Sequence, residues 1–306
     1  MMAMGHIPVM LAETMAALSV KKGGRYIDGT FGRGGHARAI AARGGEVLGI
    51  DRDVTAVESA DGIEVVKGRH GDMAGIASER GWSGVDGVLL DLGVSSPQLD
   101  DADRGFSFMR EGPLDMRMDR DSGVTAADIV NGESEDGLAN IFREYGEEPQ
   151  ARRIAKAIVK ERGRSGAKAF ATTTALADFI VALVGRHGAH HPATRVFQAL
   201  RMEVNDEIGE LTRALKGGLD LLAEGGRFAV ITFESVTDRI VKRFFAAHVG
   251  RFAALQAGGE EWRGDLPRAI AVTHGAVKPG AAELSENPRA RSAKLRAIEK
   301  TMTEAK

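Results

Sequence analysis

Apolar positions follow two rhythms along this chain. In the first third, short unbroken runs of strand length alternate with stretches of helical spacing. Arg25–Asp28 (RYID), Glu46–Asp51 (EVLGID), Ile63–Val66 and Val85–Asp91 (VDGVLLD) read as four strands. Ala37–Ala42 and Val54–Ala60 read as helices between them. The run at Val85–Asp91 lacks alternation, which predicts a strand covered on both faces. The same rhythm resumes late in the chain. Ile208–Leu222 has helical spacing, Gly225 and Gly226 are expected to end it, and Arg227–Phe233 reads as a further strand. Arg268–Thr273 is expected to be a last one. Strands alternating with helices predict a parallel sheet with helices on both sides.

Between Gly105 and Asp206 the strand rhythm disappears. Asp100–Glu148 holds 14 acidic residues against 5 basic ones, and Gln150–Lys168 reverses the balance with seven Lys or Arg against one Glu. Ile154, Ala155, Ile158 and Val159 fall at helical spacing, so this second stretch predicts an amphipathic helix with a cationic outer face. Thr172–Val184 continues helical. The fold expected is α/β, a doubly wound Rossmann-like sheet with an inserted helical domain. Residues 1–102 and 206–306 would form the core, and 103–205 the insertion.

Composition narrows the chemistry. Among 306 residues there is no cysteine, which excludes disulfide scaffolds, Cys-ligated metal sites and thiolate nucleophiles. The formal charge of −2 gives no global field toward nucleic acid or membrane, although it sums two opposite patches. Glycine is the outlier, at 39 residues, and points to tight loops. No signal-peptide pattern and no membrane-length apolar run occur, so a soluble cytoplasmic protein with no membrane partner is expected.

The densest glycine cluster is Tyr26–Ala37, Y-I-D-G-T-F-G-R-G-G-H-A, between a predicted strand and a predicted helix. Glycines there let the backbone approach a ligand beyond the carboxyl end of the sheet. Asp51 closes the second strand, where an acidic residue can accept hydrogen bonds from a ribose. Gly32-x-Gly34-x-x-Ala37 fits the dinucleotide pattern, so a NAD-type dehydrogenase is one reading. Asp28 precedes the glycines, however. A carboxylate there would repel a pyrophosphate and suits the ammonium group of S-adenosyl-L-methionine. The loop therefore favours the methyl donor.

Asp91-Leu-Gly-Val-Ser-Ser-Pro-Gln98 follows the fourth strand and should face the same crevice. Methylation of a pyrimidine ring carbon ordinarily needs a cysteine adduct, which this chain cannot form. An exocyclic amine needs only acceptors that orient its N–H groups. Asp91, Ser95, Ser96 and the carbonyls around Pro97 are groups of that kind. A ribose hydroxyl would want a base such as Lys, and the loop has none.

Longer segments carry a specific resemblance. They are His6–Glu13 (HIPVMLAE), Tyr26–His36, Ile50–Asp53 (IDRD), Asp86–Asp119, Tyr145–Glu148 (YGEE), His191–Arg201 (HPATRVFQALR), Asp238–Phe245 (DRIVKRFF) and Asn287–Arg296 (NPRARSAKLR). In these the chain resembles the ribosomal RNA small-subunit methyltransferase H family (RsmH, also called MraW), which methylates N4 of a cytidine in 16S rRNA. The resemblance implies a class I methyltransferase sheet with an inserted helical domain. It also implies S-adenosyl-L-methionine as cofactor and 16S rRNA in the small ribosomal subunit as partner. Carried onto this sequence, the donor-binding positions are Gly34, Gly35, His36, Asp51, His70, Asp91 and Gln98, beside Asp28 and Gly32 from the loop itself. Two positions depart from the family: His70 stands where relatives often have Phe, and Glu234 replaces a His after the fifth strand. Glu234 keeps a non-catalytic RNA-binding module in view as a second alternative.

The RNA-facing candidates are Phe106 and Phe108 for stacking, and Arg110 and Arg117 for phosphates. Arg152, Arg153 and the rest of the cationic helix, Arg195, Glu234, and the tail cations Arg289, Arg291, Lys294 and Arg296 complete the set. The carboxylates Asp100, Asp101, Asp103, Asp115, Asp119 and Asp121 read as a solvated acidic surface, and no metal site is expected. A homodimer is compatible with the sequence, which does not fix the oligomeric state.

Overall fold

The computed structural model describes residues 8–165, 169–186, 191–255 and 260–302, and the side chains of Ser96 and Met302 are outside that description. His6 and Lys168, which belong to segments singled out above, lie outside the described residues. The chain divides into two compact units, one running up to Gly93 and again from Gly209 onward, the other spanning Val94–Ile208. Val94, rather than residue 103, opens the helical unit, because Val94 and Leu99 pack on its core. Its end at Ile208 retains the Arg201–Glu207 ion pair, 2.7 Å, within one unit.

The first unit begins with α1 (Leu11–Leu18), β1 (Arg25–Asp28), α2 (Gly35–Ala41), β2 (Glu46–Asp51), α3 (Val54–Glu58), β3 (Glu64–Lys67), α4 (Met73–Glu79) and β4 (Val85–Asp91). In the second unit follow α5 (Ser96–Asp100), α6 (Ala126–Gly132), α7 (Glu135–Glu144), α8 (Ala151–Ser165), α9 (Thr173–Val184) and α10 (Thr194–Val204). Helix α11 (Glu207–Leu221) leads back to β5 (Leu222–Thr232), α12 (Ser235–Val249), β6 (Arg251–Ala254), β7 (Glu260–Arg263), β8 (Arg268–Ala271), α13 (Ala281–Glu286) and β9 (Lys294–Met302).

Seven strands form one sheet in the order β3-β2-β1-β4-β5-β9-β8. The pairs β3/β2, β2/β1, β1/β4 and β4/β5 are parallel, while β9 runs antiparallel to β5 and β8. Strand order reverses between β1 and β4, so a crevice opens beyond their carboxyl ends. Consecutive residues of β4 feed opposite faces. Val88 and Leu90 join the core under α4, α11 and α12, and Leu89 joins the core under α1 and α2. Burial on both sides is why this run carries no polar alternation.

Three features depart from the pattern expected of the sequence. Gly225 and Gly226 do not end a helix. They lie inside β5, where pairing skips from Val85↔Leu222 to Gly87↔Arg227 and Gly225 takes φ +78°. The basic C-terminal stretch is not wholly a tail, since Lys294–Met302 is a central strand. The hairpin of β6 and β7 forms a separate two-stranded sheet.

The second unit contains only helices and one isolated bridge, Pro113↔Thr172, among its described residues. Leu138, Phe142, Ile154, Ile158, Leu176, Ile180, Val196 and Leu200 are fully buried in its core. The irregular stretch before α6 is held by Arg104, which donates to the carbonyls of Arg117 and Met118 at 3.1 and 2.9 Å. Asn205 accepts from Met118 N and donates to Met116 O, at 2.9 and 2.8 Å.

Candidate functional site

The loop that leaves β1 ties three strand ends together. Gly29 N donates to Leu89 O at 2.9 Å, Phe31 N to Ile50 O at 3.0 Å, and Gly32 N to the Asp51 carboxylate at 2.8 Å. Gly29 needs its missing side chain, because a Cβ would meet Leu90 Cδ2 at 2.7 Å. Gly34 caps α2 in the left-handed conformation, φ +68°, and a Cβ there would lie 2.5 Å from the buried Phe31 ring. Gly32, also at positive φ, has open space where its side chain would be, with only Thr30 O at 3.8 Å. Gly35 differs from expectation: Pro8 fills the space in front of it, with Cγ 2.3 Å from a hypothetical Cβ. Its glycine serves packing of the N-terminal segment.

Carboxylates concentrate at this sheet edge. Asp28, 2% exposed, ends β1 and accepts from Thr30 N at 3.2 Å. Asp91 ends β4, and its backbone N–H donates to Thr30 Oγ1 at 2.6 Å. Its Oδ1 is buried and has no hydrogen-bond partner among the described residues. Asp51, at the end of β2, accepts from Gly32 N and Asp53 N. Burial pushes Asp91 up to about 7, with the Asp28 charge adding to it. Asp28 also rises to about 7, from burial first, with the Thr30 amide opposing and Asp51 adding repulsion. Burial raises Asp51 as well, against its two amide donors.

His36 sits beside this pair. Its Nε2 lies 3.0 Å from Val9 O, an acceptor, which assigns the proton to Nε2 and leaves Nδ1 the basic atom. Nδ1 faces Asp91 Oδ2 at 3.8 Å. His70 stands next to the loop, its Cβ 3.4 Å from where a Gly29 Cβ would be. Burial, aided by the Arg52 charge, lowers His70 to about 4, so its ring is neutral at pH 7. Its Nε2 is also buried without a partner among the described residues.

Sequence reasoning missed Glu210. This carboxylate is 1% exposed on α11, accepts from Gly71 N at 3.0 Å and pairs with Arg69 and Arg213 at 3.2 and 2.6 Å. It thereby fixes the turn that carries His70. Burial raises its pKa, but the Arg213 bond, the neighbouring His70 and Arg69, and the Gly71 amide together bring it below the ordinary value. The available signal was an acid beside Leu211 and Ala214 on the inward stripe of α11.

The remaining candidates divide between the units. Asp91 belongs to the first, whereas Ser95, Ser96, Pro97 and Gln98 belong to the second. Ser95 is the N-cap of α5, Ser96 and Pro97 open that helix, and the Gln98 side-chain oxygen accepts from Ser95 N at 3.0 Å. Gln98 is thus used in helix capping. Phe106 is buried in the helical core with the Arg104 guanidinium over its ring, so it cannot stack on a base as expected. Phe108 is stacked on His191 at 4.5 Å and edge-on to Phe197 at 4.9 Å. Arg117 forms a two-pronged pair with Asp115, at 2.8 and 2.9 Å, and Arg110 donates to Asp100 O.

Arg152, Lys156, Lys160 and Arg164 of α8 are exposed, as are Arg195, Arg289 and Arg291. Arg153, also exposed, bonds to Gln150 and Leu183 O. Lys294 and Arg296 are not available for RNA, because both bind Asp238 of α12, at 3.2 and 2.8 Å. Glu234 is the N-cap residue of α12. Several acidic candidates cap turns: Asp101 accepts from Asp103 N, Asp119 from Asp121 N, and Asp115 is buried against Arg117. Among the described residues, no three His, Asp or Glu are grouped to hold a metal ion, and no helix is long and apolar enough to cross a membrane.

The model of the MraW methylase family matches residues 3–301. The ribosomal RNA small subunit methyltransferase H of Parvibaculum lavamentivorans is 48% identical over 311 residues, covering 98% of this chain and 91% of its own length. That of Methylorubrum populi is 48% identical over 309 residues, covering 97% and 87% respectively. That of Paramagnetospirillum magneticum is 48% identical over 312 residues, covering 98% and 97%.

Proposed function

Because this chain belongs to the MraW methylase family, we propose that it transfers a methyl group from S-adenosyl-L-methionine to N4 of a cytidine in 16S rRNA of the small ribosomal subunit. The relatives named above support action on small-subunit rRNA. One observation carries the chemistry: a glycine-lined cradle between β1 and β4 holds the buried Asp28 and the half-buried Asp91, whose Oδ1 is buried without a partner among the described residues. Such a cradle fits a cationic ligand without phosphates. Two desolvated carboxylates would repel a pyrophosphate, which argues against the dinucleotide reading.

When bound, S-adenosyl-L-methionine supplies an electrophilic methyl group on a positively charged sulfur. The residues of this chain do the rest. Asp28 would receive an ammonium group, and Gly32 leaves room for close approach. Asp51 has lone pairs remaining beyond its two amide bonds and accepts from ribose hydroxyls. His70, neutral, offers a flat face and a ring nitrogen to the adenine. Asp91 Oδ1 accepts an N–H of the target amine and so turns the nitrogen lone pair toward the methyl group, an orienting role. The exposed cations of α8, with Arg195, Arg289 and Arg291, meet phosphates of the RNA.

The test combines binding and turnover. Equilibrium dialysis should show S-adenosylhomocysteine retained and NADH excluded, and Asp91→Ala should abolish methylation of small subunits. Preference for NADH would overturn the donor assignment. Full methylation by the Asp91→Ala variant would overturn the site.

A further inference from the structure

The proposed reaction leaves one proton to be placed. We infer that Asp28, Asp91 and His36 form a proton store that empties when the positive sulfur of the donor arrives and refills from the amine as it is methylated; this rests on the methyl-donor reading above. The geometry supplies the route. Asp91 Oδ1 is buried, without a partner among the described residues, and lies at the strand end that faces the crevice. Asp91 Oδ2 faces His36 Nδ1 at 3.8 Å, and the Val9 carbonyl 3.0 Å from Nε2 keeps the other ring nitrogen protonated. Asp28, at the end of the neighbouring strand β1, is the carboxylate whose charge bears on Asp91. The groups facing the cluster are therefore Asp28 from β1, Asp51 from β2 and His36 from α2.

Three carboxylates beside one imidazole are crowded with negative charge, so the cluster holds a proton near neutrality until a cation takes its place. On transfer, the N–C bond forms from the amine lone pair, and the S–C pair returns to sulfur. The positive charge passes to nitrogen. The N–H proton then leaves to Asp91 Oδ1, and the nitrogen keeps the electron pair. Net charge in the crevice is unchanged across the step, because the cluster regains one proton as sulfur becomes neutral. His36 touches none of the reacting atoms and acts through Asp91 as a positioning residue.

Isothermal titration calorimetry in two buffers of different ionisation enthalpy counts the protons released on binding. At pH 7 the full chain should release about half a proton more with S-adenosyl-L-methionine than with S-adenosylhomocysteine, since a group titrating about 7 is half protonated there. The excess should vanish by pH 9. His36→Gln should move the pH of half-release and the pH profile of the single-turnover rate together, which a packing role alone would not do. Equal release by the two ligands overturns the inference while leaving the donor assignment intact. Binding of neither removes the donor assignment and the inference with it.

Discussion

Replacing Asp91 by Asn should stabilise the first unit at alkaline pH, and the size of the effect follows from the structure. In the unfolded chain Asp91 has the ordinary value of 3.8, and in the fold burial beside Asp28 holds it up to about 7. A carboxyl raised on folding binds more protons in the native state between these values. Stability therefore falls as pH rises from about 4 to about 7, and is flat beyond. At about 1.4 kcal/mol per unit, the full cost at pH 8 is about 4 kcal/mol, and less than half of it has accrued by pH 5. Asn removes this dependence at nearly constant shape. Its difference from the parent should grow in its favour by about 2–3 kcal/mol between pH 5 and pH 8. Urea unfolding followed by tryptophan fluorescence measures the right transition, because Trp82 and Trp262 both belong to the sheet unit. Parallel pH curves for parent and variant would refute the buried, repelled carboxylate.

Other consequences can be checked alongside. Gly34→Ala should cost about 2–4 kcal/mol and weaken donor binding, since it combines a left-handed backbone with a clash on Phe31; unchanged urea midpoint and affinity would contradict this. Lys300→Met should destabilise the sheet unit by about 3 kcal/mol, because the buried Nζ donates to Leu219 O, Asp220 O and Leu222 O at the end of α11; an unchanged urea midpoint would contradict it. Lys156→Glu with Lys160→Glu should weaken RNA binding and lower its salt slope by about 0.7–0.9 for each phosphate no longer neutralised. An unaltered slope would move the RNA surface elsewhere.

The legible parts of the fold were those in which one local pattern decides the outcome. The runs ending at Asp28, Asp51 and Asp91 are apolar because both faces are buried, and each ends in the carboxylate that faces the crevice. What escaped depends on partners distant in sequence. Lys294 and Arg296 made β9 look like a cationic tail, yet Asp238 takes up both charges. Phe106 sits among polar neighbours in sequence but inside the helical core. Gly225 and Gly226 looked like a helix stop because a bulge leaves no signature beyond the glycines themselves. In the candidate site, the glycine loop and its acids could be read directly. The apposition of His36 to Asp91 and the anchoring of the His70 turn by Glu210 arise only when α2, β4 and α11 assemble.

The central claim is methyl transfer to a cytidine amine, and one measurement meets it directly. Small ribosomal subunits are incubated with the protein and isotope-labelled S-adenosyl-L-methionine, their RNA is digested, and the nucleosides are separated by mass spectrometry. The label should appear in N4-methylcytidine from 16S rRNA. Label in a ribose or on a ring carbon, or no label at all, would contradict it.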